Sequence, residues 1–291
     1  MRHSSFCVFV ISHGRPNAIV TIKTLKRSGY SGPIFVVCDN EDKTLDQYQK
    51  NYGKETVLVF DKIAYAKLVD SCDNFQNRRT TTHARNACFD LAKEKGFDYF
   101  LVLDDDYSSF MHNFDSANTF SRSAVTKFDS VANALIRFLD SDERIDSVCF
   151  IQGGDLIGGD SSLRKGIFPF QKRKAMNSFF CKTSRRFWFF SRLNEDVNTY
   201  LALGSRGRLF FSIPEIALNQ AQTQATAGGM SDAYLASGTY VKSFYSVMIN
   251  PSFAKVSLPH SNKSKTIRRI HHQISWNNAV PKILNESFRK A

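Results

Sequence analysis

Tyr99-Phe100-Leu101-Val102-Leu103-Asp104-Asp105-Asp106-Tyr107 decides how the rest of the chain is read. Five consecutive apolar residues, Tyr99 to Leu103, show no polar alternation, which is the pattern of a strand buried on both faces inside a parallel sheet. Three carboxylates follow where that strand emerges. Side chains of an extended segment alternate, so Asp104 and Asp106 point to one side and Asp105 to the other. Carboxylates this close repel one another. A hard divalent cation, held by one or two of them together with phosphate oxygens, relieves the repulsion. A turn or a helix cap would use the same acids, and the triplet alone does not separate the two uses.

At 291 residues, 42% of them apolar, the chain can bury a large core, and a single unit over residues 1–291 is expected, with halves meeting near residue 110. The first apolar run, Phe6 to Ile11, is far too short to span a bilayer and no small-residue cleavage site follows it, so a soluble cytoplasmic protein is expected. Six cysteines are scattered without a Cys-x-x-Cys pair, which indicates neither a zinc site nor a disulfide framework. The formal charge of +12 is lopsided: 15 basic and 14 acidic residues precede Met111, whereas 24 basic and 13 acidic residues lie beyond it. Such an excess in one half points to a polyanionic partner, although a basic solvated surface would look the same.

Phe6 to Ile11 reads as a first buried strand leaving into the loop Ser12-His13-Gly14-Arg15-Pro16. A helix is predicted from Asn17 to the glycines at 29 and 32, then a strand, Ile34 to Cys38, which runs into Asp39-Asn40-Glu41-Asp42. Asp42 is a candidate cap for a helix through Leu45, Tyr48 and Tyr52, and Thr56 to Phe60 is a third strand. His83 to Gly96 is a helix that leads directly into the Asp strand. Arg85 and Asn86 occupy its first turn, where backbone amides favour an anion and a cation gains only with an anionic partner, so a phosphate ligand is one reading and an ordinary salt bridge the other. The alternation of strands and helices gives an α/β sheet with parallel order, in which ligands bind beyond the carboxyl ends of the strands. Ser12–Pro16, Asp39–Asp42 and Asp104–Asp106 then gather on one edge. No Gly-x-Gly-x-x-Gly follows the first strand and no Gly-Lys-Ser/Thr phosphate loop occurs, which removes support from dinucleotide oxidoreductases and P-loop ATPases.

Beyond Asp106 the pattern weakens. A helix over Val125 to Leu139 and strands over Ser147–Gln152, Ser178–Cys181 and Phe187–Phe190 are predicted, with Val241 to Met248 as another strand. A glycine-rich basic loop through Lys174 and a polar loop from Gln222 to Met230 lie between them, and Lys263 to Trp276 is the most basic part of the chain. Aromatics beside Arg185 and Arg186 suit either a stacking platform or plain core, and core is the better reading for Phe187 and Phe189. Asn194-Glu195-Asp196 reads equally as a helix start.

A parallel half, an Asp-Asp-Asp strand end, an Arg-Asn helix feeding it and a later Glu-Asp pair resemble the GT-A fold of nucleotide-sugar glycosyltransferases. A closer likeness lies in the ordered set Arg15-Pro16, Gly29-Tyr30-Ser31-Gly32, Asp39-Asn40-Glu41-Asp42, Ala84-Arg85-Asn86-Ala87, Leu103 to Tyr107, Lys242-Ser243-Phe244-Tyr245-Ser246, Arg269-Ile270-His271-His272 and Pro281-Lys282-Ile283. That set resembles the TET/JBP-associated glycosyltransferases of bacteriophages. The resemblance implies a GT-A-like, mostly parallel central sheet flanked by helices, with a nucleotide-sugar half over 1–110 and an acceptor-side α+β lobe over 111–291. It implies transfer of a sugar from a UDP-sugar to the hydroxyl of 5-hydroxymethylcytosine, or a related base, in double-stranded phage DNA within the host cytoplasm. A polysaccharide or protein acceptor, or an inactive nucleic-acid-binding relative, are the alternatives.

By the same resemblance Ser12, Arg15, Asp39 and Asp42 would contact the uridine, Arg85 and Asn86 the rest of the donor, and Asp104 the ribose. Asp104 and Asp106 would hold Mn²⁺ or Mg²⁺, with His271 or His272 completing the shell and His260 next in line. Asp196, with Glu195 second, would deprotonate the acceptor hydroxyl, a poor nucleophile that needs a base. Arg185, Arg186, Trp188, Lys265, Arg268 and Arg269 would meet the DNA.

Overall fold

The structure is a computed structural model and describes residues 5–152, 175, 177–220, 230–238, 241–258 and 270–279. Its first half is built from β1 (Phe6–Ile11), α1 (Thr21–Arg27), β2 (Ile34–Asp39), α2 (Leu45–Tyr52), β3 (Val57–Phe60), α3 (Lys62–Leu68), α4 (Thr82–Glu94) and β4 (Tyr99–Asp104). The four strands pair in parallel in the order β3-β2-β1-β4. The chain therefore winds outward through β2 and β3 and then returns to the other side of β1. Such a reversal leaves a crevice at the carboxyl ends of the two strands that flank it. Here those are β1 and β4, with Ile11 level with Asp104.

The two faces follow from the period of two. Val8, Val10, Leu101 and Leu103 pack with Leu25 of α1 and Tyr48 of α2, and with Phe128, Ala132 and Leu139 of α5 (Phe128–Asp140). Cys7, Phe9, Phe100 and Val102 point the other way, onto Ala87, Cys88 and Leu91 of α4. Phe100 is fully buried, 4.9 Å from the Phe89 ring and 5.6 Å from that of Phe9; truncating it to Ala would cost about 3–5 kcal/mol. Gly29 closes α1 at φ 83°, where a Cβ would come within 2.2 Å of the Thr126 carbonyl oxygen, so no other residue fits that turn.

Beyond Asp104 the sheet is mixed rather than parallel. The described strands β5 (Tyr107–Phe114), β6 (Phe120–Ala124), β7 (Ile145–Gln152), β8 (Ser178–Lys182) and β9 (Leu209–Gln220) extend it to nine, in the order β3-β2-β1-β4-β8-β7-β9-β5-β6. β8 is antiparallel to both β4 and β7, and β9 is parallel to β7 and antiparallel to β5. The rest of the described chain contributes α6 (Glu195–Gly204), α7 (Met230–Ser237), α8 (Lys242–Ile249) and a hairpin of β10 (Ala254–Ser257) and β11 (His271–Ile274).

Val241 to Met248 is not a strand: Val241, Phe244, Tyr245 and Met248 fall at helical spacing, and the segment forms α8. Phe187–Phe190 is irregular, because Asn86 satisfies the Phe189 backbone in place of a neighbouring strand. The first helix starts at Thr21 rather than after Asn17, whose side chain accepts from Asn51. The loops expected through Lys174 and over Gln222 to Gly229 lie outside the described residues. No helix among the described residues is long and apolar enough to cross a membrane.

Candidate functional site

The loop after β1 is assembled by acids from two other strand ends. Ser12 Oγ donates to Asp105 Oδ2 at 2.5 Å and lies 2.7 Å from the Tyr48 hydroxyl. The Tyr48 hydroxyl also accepts from the Arg15 amide at 2.8 Å, and Arg15 Nη1 reaches Asp105 Oδ1 at 3.3 Å. Asp42 accepts from the Gly14 amide and from both the amide and hydroxyl of Thr44, so its carboxylate shapes the loop. Asp39 sits 2.7 Å from His13 Nδ1 and 3.2 Å from Lys62 Nζ. Burial pushes the Asp39 carboxyl up, but His13 and Lys62 outweigh it and hold it below the usual range. His13, 41% exposed, is the group this cluster presents to solvent.

The alternation of β4 continues through its acids. Phe100 and Val102 face α4, and Asp104 follows them there. Leu101 and Leu103 face α1 and α2, and Asp105 follows them to Ser12. Arg85, on the first turns of α4, is 1% exposed and donates from Nη2 to Asp104 Oδ1 at 3.1 Å, while its Nε lies 3.4 Å from Glu195 Oε1. The guanidinium is 5.0 Å from the Phe179 ring centroid and 5.8 Å from that of Phe189. Its Nε and Nη1 have no hydrogen-bond partner among the described residues. One buried cation thus joins the acid strand to the Glu-Asp pair at the start of α6, where the Thr81 hydroxyl donates to Glu195. Asn194, ahead of that pair, is left-handed at φ 59°, which turns the chain so that both acids point inward.

Electrostatics set the acids apart. Burial raises Asp104 to about 7, with Asp106 and Glu195 adding to the rise and Arg85 opposing it. Burial and then Asp105 raise Asp106 to about 6. Asp196 is raised by burial and by Glu195, against Arg85, the Val197 amide at 2.7 Å and Lys242. A carboxylate whose proton affinity has been raised toward neutrality is suited to taking a proton.

Other sequence candidates lie elsewhere. Asn86 gives both ends of its amide to the backbone of Phe189, at 2.8 and 2.9 Å, and pins the segment beside α4. Arg185 donates to the carbonyls of Leu139, Asp142 and Ile145 at 2.6 to 3.0 Å. It therefore sits by the amino-terminal edge of the sheet, because β8 runs antiparallel to β4 and delivers Lys182 opposite Tyr99. Arg186 pairs with Asp90 at 2.5 Å and stacks 4.0 Å from the ring of Trp188, which is itself 41% exposed. Asp90 is more than a helical turn along α4 from Arg85. His272 is buried in the β10–β11 hairpin with Nδ1 3.1 Å from Asn194 Nδ2, so it braces the turn before Glu195; His271 is its neighbour at 4.3 Å. Neither histidine joins the acids: no group of three or more His, Cys, Asp or Glu suited to a metal occurs among the described residues. Lys265, Arg268, Arg269 and His260 lie outside the described residues.

A divalent cation still fits two of the acids. Asp106 Oδ1 is buried without a hydrogen-bond partner, and Asp106 raises the proton affinity of Asp104. Hard oxygens of this kind, with phosphate oxygens completing the shell, are the usual setting of Mg²⁺ or Mn²⁺. Sequence reasoning missed Lys62 and His83. Lys62 follows the end of β3, which is level with Asp39, so the edge rule that flagged the other three strand ends applies to it as well. His83 is buried with Nδ1 unpartnered, and burial lowers it to about 4, which keeps the ring neutral.

This edge, with its cation between two acid pairs and its crevice at the point of strand reversal, belongs to a chain that the family model described as TET-Associated Glycosyltransferase matches over residues 6–229. No curated protein matches the chain. The matched span takes in every described strand from β1 to β9 and all the acids discussed above, and the chain belongs to the TET-associated glycosyltransferases.

Proposed function

We propose that the protein transfers a sugar from a UDP-sugar to the hydroxyl of 5-hydroxymethylcytosine, or a related hydroxymethylpyrimidine, in DNA, with Mn²⁺ or Mg²⁺ at Asp104 and Asp106. The observation that carries this is the placement of Arg85 between Asp104 and Glu195, with its buried Nε and Nη1 making no hydrogen bond among the described residues although Nε stands beside Glu195. A buried donor left without a partner is costly, and a donor phosphate would satisfy it. The nucleoside lies in the crevice between the ends of β1 and β4, against His13, Arg15 and the Asp39–Lys62 pair. A divalent cation held by Asp104 and Asp106 would supply positive charge to offset that of the departing diphosphate. Asp196 accepts the proton of the acceptor hydroxyl as the sugar moves, and Arg85 opposes the rise of the Asp104 carboxyl beside it. Lys242, close enough to lower Asp196, limits how far that carboxyl rises.

The basic excess beyond Phe110 supports a polyanionic acceptor over a polysaccharide or a protein. The test is incubation of the full chain with Mn²⁺ and a panel of UDP-sugars over hydroxymethylated duplex, unmodified duplex and oligosaccharide. Glycosylation confined to the hydroxymethylated duplex is expected. Product on oligosaccharide alone would replace the acceptor, and tight DNA binding without any product would replace the enzyme.

A further inference from the structure

The loop joining α3 to α4, residues 69–80, carries an aromatic side chain that nothing in the site uses. Phe75 is 72% exposed, more than any other large apolar side chain among the described residues. The loop beneath it is fixed from the acceptor side. Arg192, 2% exposed, donates from Nε to Asp73 Oδ2 at 2.6 Å and from Nη2 to the Tyr245 hydroxyl at 2.7 Å, and Tyr245 donates in turn to Asp73. Asp73 Oδ1 accepts the Phe75 amide at 3.1 Å, and the guanidinium of Arg192 lies 5.5 Å from the Phe75 ring. The amides of Ser191 and Arg192 donate to the Asp70 and Ser71 carbonyls at 2.7 and 2.9 Å. A buried arginine is therefore spent on holding an exposed phenylalanine in place.

The loop also has a definite address. Arg78 reaches Glu41 at the donor end of the sheet, at 2.6 Å, and Thr81 donates to Glu195 at the acid pair. Arg79 is exposed and has no side-chain partner among the described residues. The loop that carries Phe75 is thus tied at residues 78 and 81 to the edge that holds the acids, with an unspent cation four residues from the ring. The acids below are recessed: Glu195 is 7% and Asp196 6% exposed. A base stacked inside a duplex cannot reach them and must leave the stack, and the vacated step is commonly held open by an apolar side chain.

We infer that Phe75 enters the base stack of the acceptor where the target nucleotide leaves it, with Arg79 against a neighbouring phosphate. This rests on the DNA acceptor proposed above. Apolar bulk at position 75 is what the role requires, so Phe75→Leu retains it and Phe75→Ala does not. The experiment measures transfer by wild type and both variants to three acceptors carrying the same hydroxymethylated base: a matched duplex, a duplex with that base opposite a mismatch, and a single strand. Phe75→Ala should lower the rate on the matched duplex by about tenfold or more, lower it less on the mismatch and leave the single strand within about twofold, since unstacking is the cost relieved. Phe75→Leu should stay near wild type throughout. Equal loss on all three acceptors, or no loss on any, overturns the wedge while leaving the acceptor reading standing. Failure of the wild type to modify DNA in any of the three forms overturns the acceptor reading and the wedge with it.

Discussion

Replacing Arg85 with Met removes the cation and keeps most of the volume, and its effect can be worked from the contacts. Asp104, whose side chain is 22% exposed, and Glu195, whose side chain is 9% exposed, lose their shared partner at once. Breaking a buried pair by deleting one member costs about 3–5 kcal/mol, because the remaining charge stays buried. Against a total stability of about 5–15 kcal/mol the variant still folds, with a clearly lower denaturation midpoint. The sign with pH follows from the carboxyls. Asp104 stands at about 7 and Asp196 at about 6 in the folded protein, both above the ordinary carboxyl value. A raised carboxyl contributes stability that is complete below its unfolded value and is lost as pH rises through the folded one. Without Arg85 the folded values rise further, so wild type and variant converge near pH 5 and separate from about pH 6 to 8. Urea denaturation at pH 5 and pH 8 measures both points. Adding Asp104→Asn to Arg85→Met should recover part of the loss at pH 8, a coupling that a double-mutant cycle reads directly. A loss below about 1 kcal/mol at pH 8, or a larger loss at pH 5 than at pH 8, would mean that Arg85 does not hold these buried carboxylates.

Other expectations concern the acids and the partner. Asp106→Asn should remove transfer while leaving the denaturation midpoint unchanged or higher, because an unpartnered buried carboxylate disappears; Asp105→Asn should instead loosen the Ser12–Arg15 loop and raise the KM for donor, as changes in the two parameters will show. Asp196→Asn should lower kcat by about a hundredfold or more without weakening DNA binding, and in the wild type kcat/KM should rise with pH through about 6, where the carboxyl loses its proton. DNA affinity should fall steeply with added salt, with a log–log slope of about 0.9 per phosphate neutralised; a salt-independent affinity would count against a basic DNA-binding face.

The first half of the fold was legible because each of its strands is a short apolar run that ends in polar residues on the same edge. The period of two that buries Phe100 and Leu101 on opposite faces also sends Asp104 to Arg85 and Asp105 to Ser12, so part of the site's geometry could be read from nine residues. Arg85 was found through its place at the start of the helix feeding that strand. Asn86 is adjacent in sequence but turned about 100° around the helix axis, and it faces the Phe189 backbone instead. Arg185 and Arg186 lie away from the acids for a related reason: closeness to Asp196 in sequence says nothing of the edge on which a residue lies. An antiparallel β8 delivers the two arginines by the far edge, and the chain then returns along α4 to reach Asn194. Val241 to Met248 has the i, i+3, i+4, i+7 spacing of a helix, a pattern that its aromatic and β-branched content obscured. The anchoring of His272 on Asn194 depends on a hairpin formed by residues far apart in the chain, for which no local signal exists.

In the function proposed above, the edge formed by Asp104, Asp106, Arg85 and Asp196 moves a sugar onto a DNA base. The most direct test is to incubate hydroxymethylated duplex DNA with Mn²⁺, UDP-sugars and either wild type, Asp106→Asn or Asp196→Asn, digest it to nucleosides and weigh them by mass spectrometry. One glycosyl unit added to the hydroxymethylated nucleoside by the wild type alone is expected, with all three proteins equally folded. Glycosylated nucleoside formed at the wild-type rate by either variant would contradict it.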